Sequence, residues 1–356
     1  MERTKPPKLS QQVKKRVNEN TGKKEQKEYE GSDIFISTGS TLLDLAISGG
    51  RVRGGGIPAG ILVEVFGPPS SGKTVLLSEI AGNIQSRGGS VMFHDPEGRL
   101  NKSFASIFGL DIDSMLYSMP DTVTEVFSLV RSWAPSQSGK VHGIFADSLA
   151  ALSTDLEMEK NEGDKMGMRR AKEFSEELRK TCRVLTKNNY LMVVSNQIRE
   201  NVDAVAYGEK YRTPGGRAVG FYSSLRLRFK LIEKVKREIT FHEKKISQIV
   251  GVRSEVEVYK SSVWKPYGKA PLTILFEYGI DDIRENLQYL KKYYGLRKYG
   301  FMRDGELIGL SVSMNDSIKE VEDKNWENDV RMNVINLWEE INGKFSSIEL
   351  SRKKRH

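Results

Sequence analysis

Apolar positions along the chain form short strand-like runs separated by stretches with helical spacing. The runs at 61–66, 90–94, 142–146 and 190–195 alternate with helical patterns at 73–87, 121–134 and 168–187. This alternation predicts an α/β fold: a mostly parallel twisted sheet with helices on both faces. Strand patterns at 223–231, 253–260 and 272–276 predict an antiparallel extension. Residues 232–250 are charged and read as an exposed loop or hairpin. Beyond Asp282 the pattern turns helical and charged.

Residues 1–32 are polar and basic and cannot bury a core alone. Val13 and Val17 stand four apart, as on one face of a short helix. The expected division is a basic N-terminal segment (1–32), a core (33–282) and a small C-terminal domain (283–356). The last residues, Arg352-Lys353-Lys354-Arg355-His356, read equally as a solvated terminus and as a nucleic-acid contact.

Composition narrows the class. With 356 residues, 29% charged and 38% hydrophobic, the chain is long enough for a large α/β domain with appendages. No apolar run reaches the roughly 18 residues of a membrane span. The start, MERTKPPKLS, lacks an apolar signal core, so secretion is not expected. The single cysteine, Cys182, excludes an internal disulfide and suits a reducing cytoplasm. Its helical surroundings mark it as a structural thiol rather than a nucleophile. The net charge of +9 favours a polyanionic partner such as nucleic acid.

The strongest local signal is Gly67-Pro68-Pro69-Ser70-Ser71-Gly72-Lys73-Thr74, a complete G-x-x-x-x-G-K-[ST] phosphate loop. An apolar strand precedes it, and a helix pattern opens with Val75. Gly67 and Gly72 let backbone N–H groups converge on phosphate oxygens, and the helix start adds its dipole. Lys73 would bridge the terminal phosphates of ATP, and the Thr74 hydroxyl would ligate Mg²⁺.

Three further strand ends carry candidate chemistry. The run 142–146 stops at Asp147, suited to hold Mg²⁺ through water. The run 90–94 leads into Asp95-Pro96-Glu97, where either carboxylate is a candidate to orient an attacking water. The bland alternative there is a helix cap and a surface acid. The run 190–195 ends in Asn196-Gln197, an amide pair able to sense a γ-phosphate and move the following segment. That segment, 198–216, is too long for an ordinary connection. Its cations Arg199, Lys210 and Arg212 are interleaved with Tyr207 and Tyr211, a composition suited to single-stranded nucleic acid. A second polar loop, 157–167, precedes a helix with Arg169, Arg170 and Lys172, which also reads as a solvated face.

In their order these pieces resemble the RecA family of recombinases, from about residue 36 to residue 279. The likeness includes Ile36-Ser37-Thr38-Gly39-Ser40, the phosphate loop, Gly109-Leu110-Asp111-Ile112-Asp113, Pro120-Asp121-Thr122 and Ala146-Asp147-Ser148-Leu149. Asn196-Gln197-Ile198-Arg199 and Thr213-Pro214-Gly215-Gly216 bracket the long segment as the family brackets its second DNA loop. The resemblance implies a DNA-dependent ATPase that forms a helical filament on single-stranded DNA and pairs it with homologous duplex, with ATP and Mg²⁺ as cofactors. It implies Glu97 rather than Asp95 as the water-activating carboxylate, and Gln197 as the γ-phosphate sensor. Asn101 and Phe104 match positions at the adenine. Met166 and Val202 match residues that wedge between base triplets, and Lys172 and Arg179 match cations near the DNA backbone. Phe221 matches an aromatic that relays the ATP state to a neighbouring subunit. The segment 1–32 is a candidate arm for packing on that neighbour.

Three departures qualify the likeness. Where bacterial members carry a Lys-x-Lys pair that reaches the neighbour's ATP, this chain reads Lys260-Ser261-Ser262. Gly220 replaces another interface lysine, leaving Lys265 or Arg217 as substitutes. The chain ends basic where many members end acidic. The competing readings are a RecA-fold hexameric helicase and an ATP-binding mediator without efficient turnover.

Overall fold

The computed structural model describes residues 34–135, 141–154, 166–200, 211–212 and 217–350. In chain order the strands are β1 (Phe35–Ile36), β2 (Ile57–Pro58), β3 (Leu62–Gly67), β4 (Val91–His94), β5 (Leu116–Ser118), β6 (His142–Ala146), β7 (Tyr190–Gln197), β8 (Arg199–Glu200), β9 (Tyr211–Arg212), β10 (Leu225–Phe241), β11 (Lys244–Ser261), β12 (Lys269–Leu275), β13 (Gly279–Ile280), β14 (Gly300–Arg303) and β15 (Glu306–Gly309). The helices are α1 (Thr41–Ser48), α2 (Lys73–Ser86), α3 (Lys102–Ile107), α4 (Val123–Ser132), α5 (Met166–Asn188), α6 (Arg217–Tyr222), α7 (Asp282–Tyr294), α8 (Met314–Asp323) and α9 (Glu327–Leu350).

Nine strands form one sheet in the order β13-β12-β11-β10-β3-β7-β6-β4-β5. From β10 to β5 every neighbouring pair is parallel. From β10 to β13 every pair is antiparallel. The expected α/β architecture and its antiparallel extension are both present. Successive side chains of a strand face opposite sides, so a sheet covered twice needs two cores. Val63, Val65, Phe93, Phe145 and Val193 pack into one buried cluster with α2. Leu62, Met92, Ile144, Met192 and Val194 pack into the other with α4 and α5. Helix α4 shows how locally this is encoded. The Thr122 side chain caps it by accepting from Glu125 N–H, and Val123, Val126, Phe127 and Val130 form its buried stripe.

The charged stretch 232–250 is the outer part of a hairpin, because β10 and β11 run on beyond the strands expected at 223–231 and 253–260. A two-residue turn, His242-Glu243, joins them with φ of 45° and 61°. Positive φ at both positions suits the right-handed twist of the ribbon. In the expected small C-terminal domain, Leu287, Leu290, Val321, Val330 and Val334 pack into the α2-side cluster. The segment 1–32 lies outside the described residues. Among the described residues no helix is long and apolar enough to cross a membrane.

Candidate functional site

The phosphate loop spans the gap between the end of β3 at Gly67 and the start of α2 at Lys73. Gly72 precedes α2 with φ +99° and supplies no side-chain cap, so no capping side chain covers the first amides of the helix. A Cβ at Gly72 would lie 2.2 Å from Ile274 Cδ1, and one at Gly67 would lie 2.7 Å from Phe229. Gly67 is therefore demanded by the close approach of Phe229, and Gly72 by its left-handed backbone. The turn is tied down by Ser71 Oγ donating to Pro68 O at 2.8 Å and by Ser254 Oγ on β11 donating to Ser71 O at 2.8 Å.

Lys73 and Thr74 project from the first turn of α2. Lys73 Nζ donates to Pro68 O at 2.8 Å and Gly67 O at 3.2 Å, folding the ammonium back over the loop. Burial pulls its pKa below the ordinary lysine value, and Arg99 adds to this, while Asp147 and Glu97 oppose it. Thr74 Oγ1 donates to Asp147 Oδ2 at 2.5 Å. Ser195 Oγ, from β7, donates to the other oxygen, Asp147 Oδ1. Among the described residues no group of three acidic, His or Cys side chains is arranged to hold a metal. One hydroxyl and one carboxylate are the partial donor set that Mg²⁺ completes with phosphate and water. The residues present fit that ion.

The two acids after β4 have different jobs. Asp95 is buried, and its Oδ2 accepts from Leu100 N at 2.7 Å and from Tyr117 Oη at 2.9 Å. Its carboxylate is committed to holding the turn 95–100. Glu97 is more open, accepts from Arg99 Nη2 at 2.9 Å, and acts electrostatically on Lys73. Of the two candidates, Glu97 is the more exposed. His94, the last residue of β4, is pushed down to about 4 by burial.

Strand β7 lies between β3 and β6, and its register sets Gln197 opposite Gly67. The strand that ends in the phosphate loop thus runs beside the strand that ends in the amide pair. Two residues further on, β8 pairs with β9 through Arg199↔Arg212, closing the base of the long segment. Val202, Lys210, Gly215 and Gly216 lie outside the described residues, as does most of 157–167. Met166, Arg169 and Arg170 fall in the first turns of α5, and Arg217 opens α6.

Asn101 caps α3, its Oδ1 accepting from Phe104 N at 2.9 Å, and the Phe104 ring meets Phe108 edge-on at 4.8 Å. Lys172 and Arg179 are exposed on α5 seven residues apart, hence on one face, with Lys172 Nζ 3.9 Å from Glu176. Lys260 Nζ donates to Gly220 O and Phe221 O, each at 2.9 Å, within its own chain. Lys265 sits over the Trp264 ring at 5.8 Å.

Sequence reasoning missed Ser195, although it directly precedes Asn196-Gln197. It also missed Glu64, a carboxylate with no solvent exposure on β3, paired with Arg226 Nε at 2.6 Å. A lone Glu inside an apolar run was the available signal, since a buried charge requires a partner.

A family model described as the RecA N-terminal domain matches residues 9–281. Protein RecA of Acholeplasma laidlawii (strain PG-8A) is 34% identical over 281 residues, covering 79% of this chain and 73% of the relative. Protein RecA of Thermus thermophilus is 39% identical over 250 residues, covering 70% of this chain and 69% of the relative. The family match spans most of the chain, including the loop, the carboxylates and the amide pair whose geometry is described above, and the chain belongs to the RecA family.

Proposed function

We propose that this chain is an ATP-dependent recombinase that forms helical filaments on single-stranded DNA, pairs it with homologous duplex, and hydrolyses ATP in a DNA-dependent way. The observation that carries the reading is the pairing of Gly67 with Gln197. It sets the first residue of the phosphate loop beside the last residue before the 198–216 segment. A side chain that responds to the γ-phosphate at Gln197 would reorder that segment, whose Arg199, Lys210 and Arg212 suit phosphates and whose tyrosines suit bases.

In this reading ATP bound with Mg²⁺ supplies the phosphoryl group and the charge neutralisation. Lys73 and the α2 amides would hold the phosphates, and Thr74, with Asp147 acting through water, would hold Mg²⁺. Ser195 fixes the Asp147 carboxylate. Glu97 orients the attacking water and accepts its proton. Lys172 and Arg179 are proposed as further DNA contacts, with Met166, Arg169, Arg170, Val202, Gly215, Gly216 and Arg217. Asn101 and Phe104 are proposed at the base of ATP, and Lys260 at the ATP of a neighbouring subunit. The single cysteine fits a cytoplasmic setting.

A second reading, an ATP-binding mediator with little turnover, is favoured by one observation. Lys260 is bonded to its own chain's carbonyls, and position 262 holds a serine where the Lys-x-Lys pair has its second lysine. Phosphate release with and without single-stranded DNA, together with electron microscopy, separates the readings. DNA-stimulated release lost in Lys73→Ala and Glu97→Ala, with helical filaments, supports the recombinase. Filaments without stimulated release support the mediator, and closed rings a helicase.

A further inference from the structure

We infer that Glu64 and Arg226 are positioning residues that couple the nucleotide end of the sheet to helix α6; the inference rests on the function proposed above. Asn196, Glu64, Arg226 and Lys260 stand on four adjacent strands, β7, β3, β10 and β11. Asn196 Nδ2 donates to Glu64 Oε1 at 3.1 Å, and Arg226 Nε donates to Glu64 Oε2 at 2.6 Å. At the nucleotide end, Asn196 Oδ1 accepts from Gln197 N at 3.1 Å. One chain of hydrogen bonds therefore runs from the residue opposite the phosphate loop to the Arg226 guanidinium.

The far end meets α6. The guanidinium is held against the rings of Phe66, 4.6 Å from the centroid, and Tyr259, at 5.3 Å. A Cβ added at Gly220 would lie 2.9 Å from Arg226 Cζ and 3.0 Å from Nη1. Gly220 thus leaves the space that the guanidinium occupies, which gives a physical reason for the missing interface lysine. Arg226 is also the cross-strand partner of Lys260, whose ammonium holds the Gly220 and Phe221 carbonyls. Phe221, the next residue of α6, is 75% exposed.

The coupling follows from burial. Glu64 has no solvent exposure, so its charge must keep Arg226 as a partner. When Gln197 turns toward a phosphate, the Asn196 amide that bonds both Gln197 N–H and Glu64 must readjust. Glu64 and Arg226 then move together, and the guanidinium pushes on or withdraws from α6. A salt bridge that served stability alone would leave ATP–DNA coupling untouched, and this is what the test reads.

Two variants of the full chain serve. Arg226→Lys keeps the charge and loses the planar stack. Gly220→Ala adds, within α6, a Cβ that collides with the guanidinium, and leaves both members of the buried pair unsubstituted. Single-stranded DNA affinity is measured with and without a non-hydrolysable ATP analogue, and analogue affinity with and without DNA. Coupling between two ligands is reciprocal, so both factors should fall alike. The expected result is analogue affinity without DNA within about threefold of the unsubstituted chain, and a coupling factor reduced about tenfold or more. An unchanged coupling factor in Gly220→Ala overturns the inference, as does loss of analogue binding in the absence of DNA. If Arg226→Lys does not fold by its thermal transition, Gly220→Ala decides alone. An unsubstituted chain with no coupling at all refutes the proposed function and the inference with it, and is recognisable before any substitution.

Discussion

Thr74 Oγ1 and Asp147 Oδ2 lie 2.5 Å apart although 73 positions separate them in the chain. The hydroxyl comes from the first turn of α2 and the carboxylate from the end of β6, two strands away from the strand that feeds the phosphate loop. Ser195, from the strand between, holds the other carboxylate oxygen. The three residues form one hydrogen-bonded group at the C-terminal edge of the parallel sheet, where ligands of open α/β folds bind.

Removing the Thr74 hydroxyl tests that group. Thr74→Val keeps the shape and should weaken Mg²⁺-dependent ATP binding about tenfold or more, the loss of a bond to a charged partner being worth roughly 1.5–3 kcal/mol. Thr74→Ser should retain most of the affinity. Titration with a fluorescent ATP analogue, with and without Mg²⁺, gives both numbers. Equal affinity for Val and Thr would refute the metal-ligand role.

The two acids after β4 should separate cleanly. Glu97→Ala is expected to lower DNA-stimulated hydrolysis by about 10²–10⁴-fold, the usual contribution of a general base, with ATP binding retained. Asp95→Asn should lower the thermal midpoint, because its carboxylate accepts from both Leu100 N and Tyr117 Oη. Phosphate release and thermal denaturation on the same two proteins check the pair. A Glu97→Ala protein with the parent rate would remove that residue from the mechanism.

Gly72→Ala should destabilise the fold by roughly 1–3 kcal/mol, the cost of a strained left-handed residue. Its φ is +99°, and the new Cβ would meet Ile274 Cδ1 at 2.2 Å. Ile274→Val in the same chain should recover only part of the loss, since it relieves the collision and leaves the backbone strain. Denaturant titration of the single and double variants reads the two contributions.

Glu79 predicts a pH dependence of stability. Burial pushes its carboxyl up to about 7, with Ile280 N–H bonding opposing the shift and Asp282 adding to it. A folded-state value above the unfolded one gives stability that is present below the unfolded value and lost as pH rises through the folded one. Stability should therefore decline between about pH 5 and pH 8, by on the order of 2 kcal/mol from this group. Asp44, pushed up to about 6 by burial, adds in the same direction. Glu79→Gln should flatten the decline and raise stability at pH 8, as followed by thermal denaturation across that range. A variant with the parent's slope would show that Glu79 is not its source.

Local order along the chain was sufficient for the strand–loop–helix unit around Lys73, the alternating α/β pattern and the family likeness. Each depends on neighbours a few residues apart: a glycine turn, an apolar run, a helix start. The same local signals left Asp95 and Glu97 equivalent until the family likeness was invoked, and made 232–250 an undecided loop or hairpin. They gave no sign that Ser195 fixes Asp147, or that Glu64, Asn196 and Arg226 form one buried polar chain. Those facts depend on which strands lie side by side, and the order β10-β3-β7-β6-β4 brings together residues far apart in the chain. A carboxylate's partner is set by distance in space, because a hydrogen bond needs donor and acceptor about 3 Å apart. Only the folded sheet decides which residues come that close.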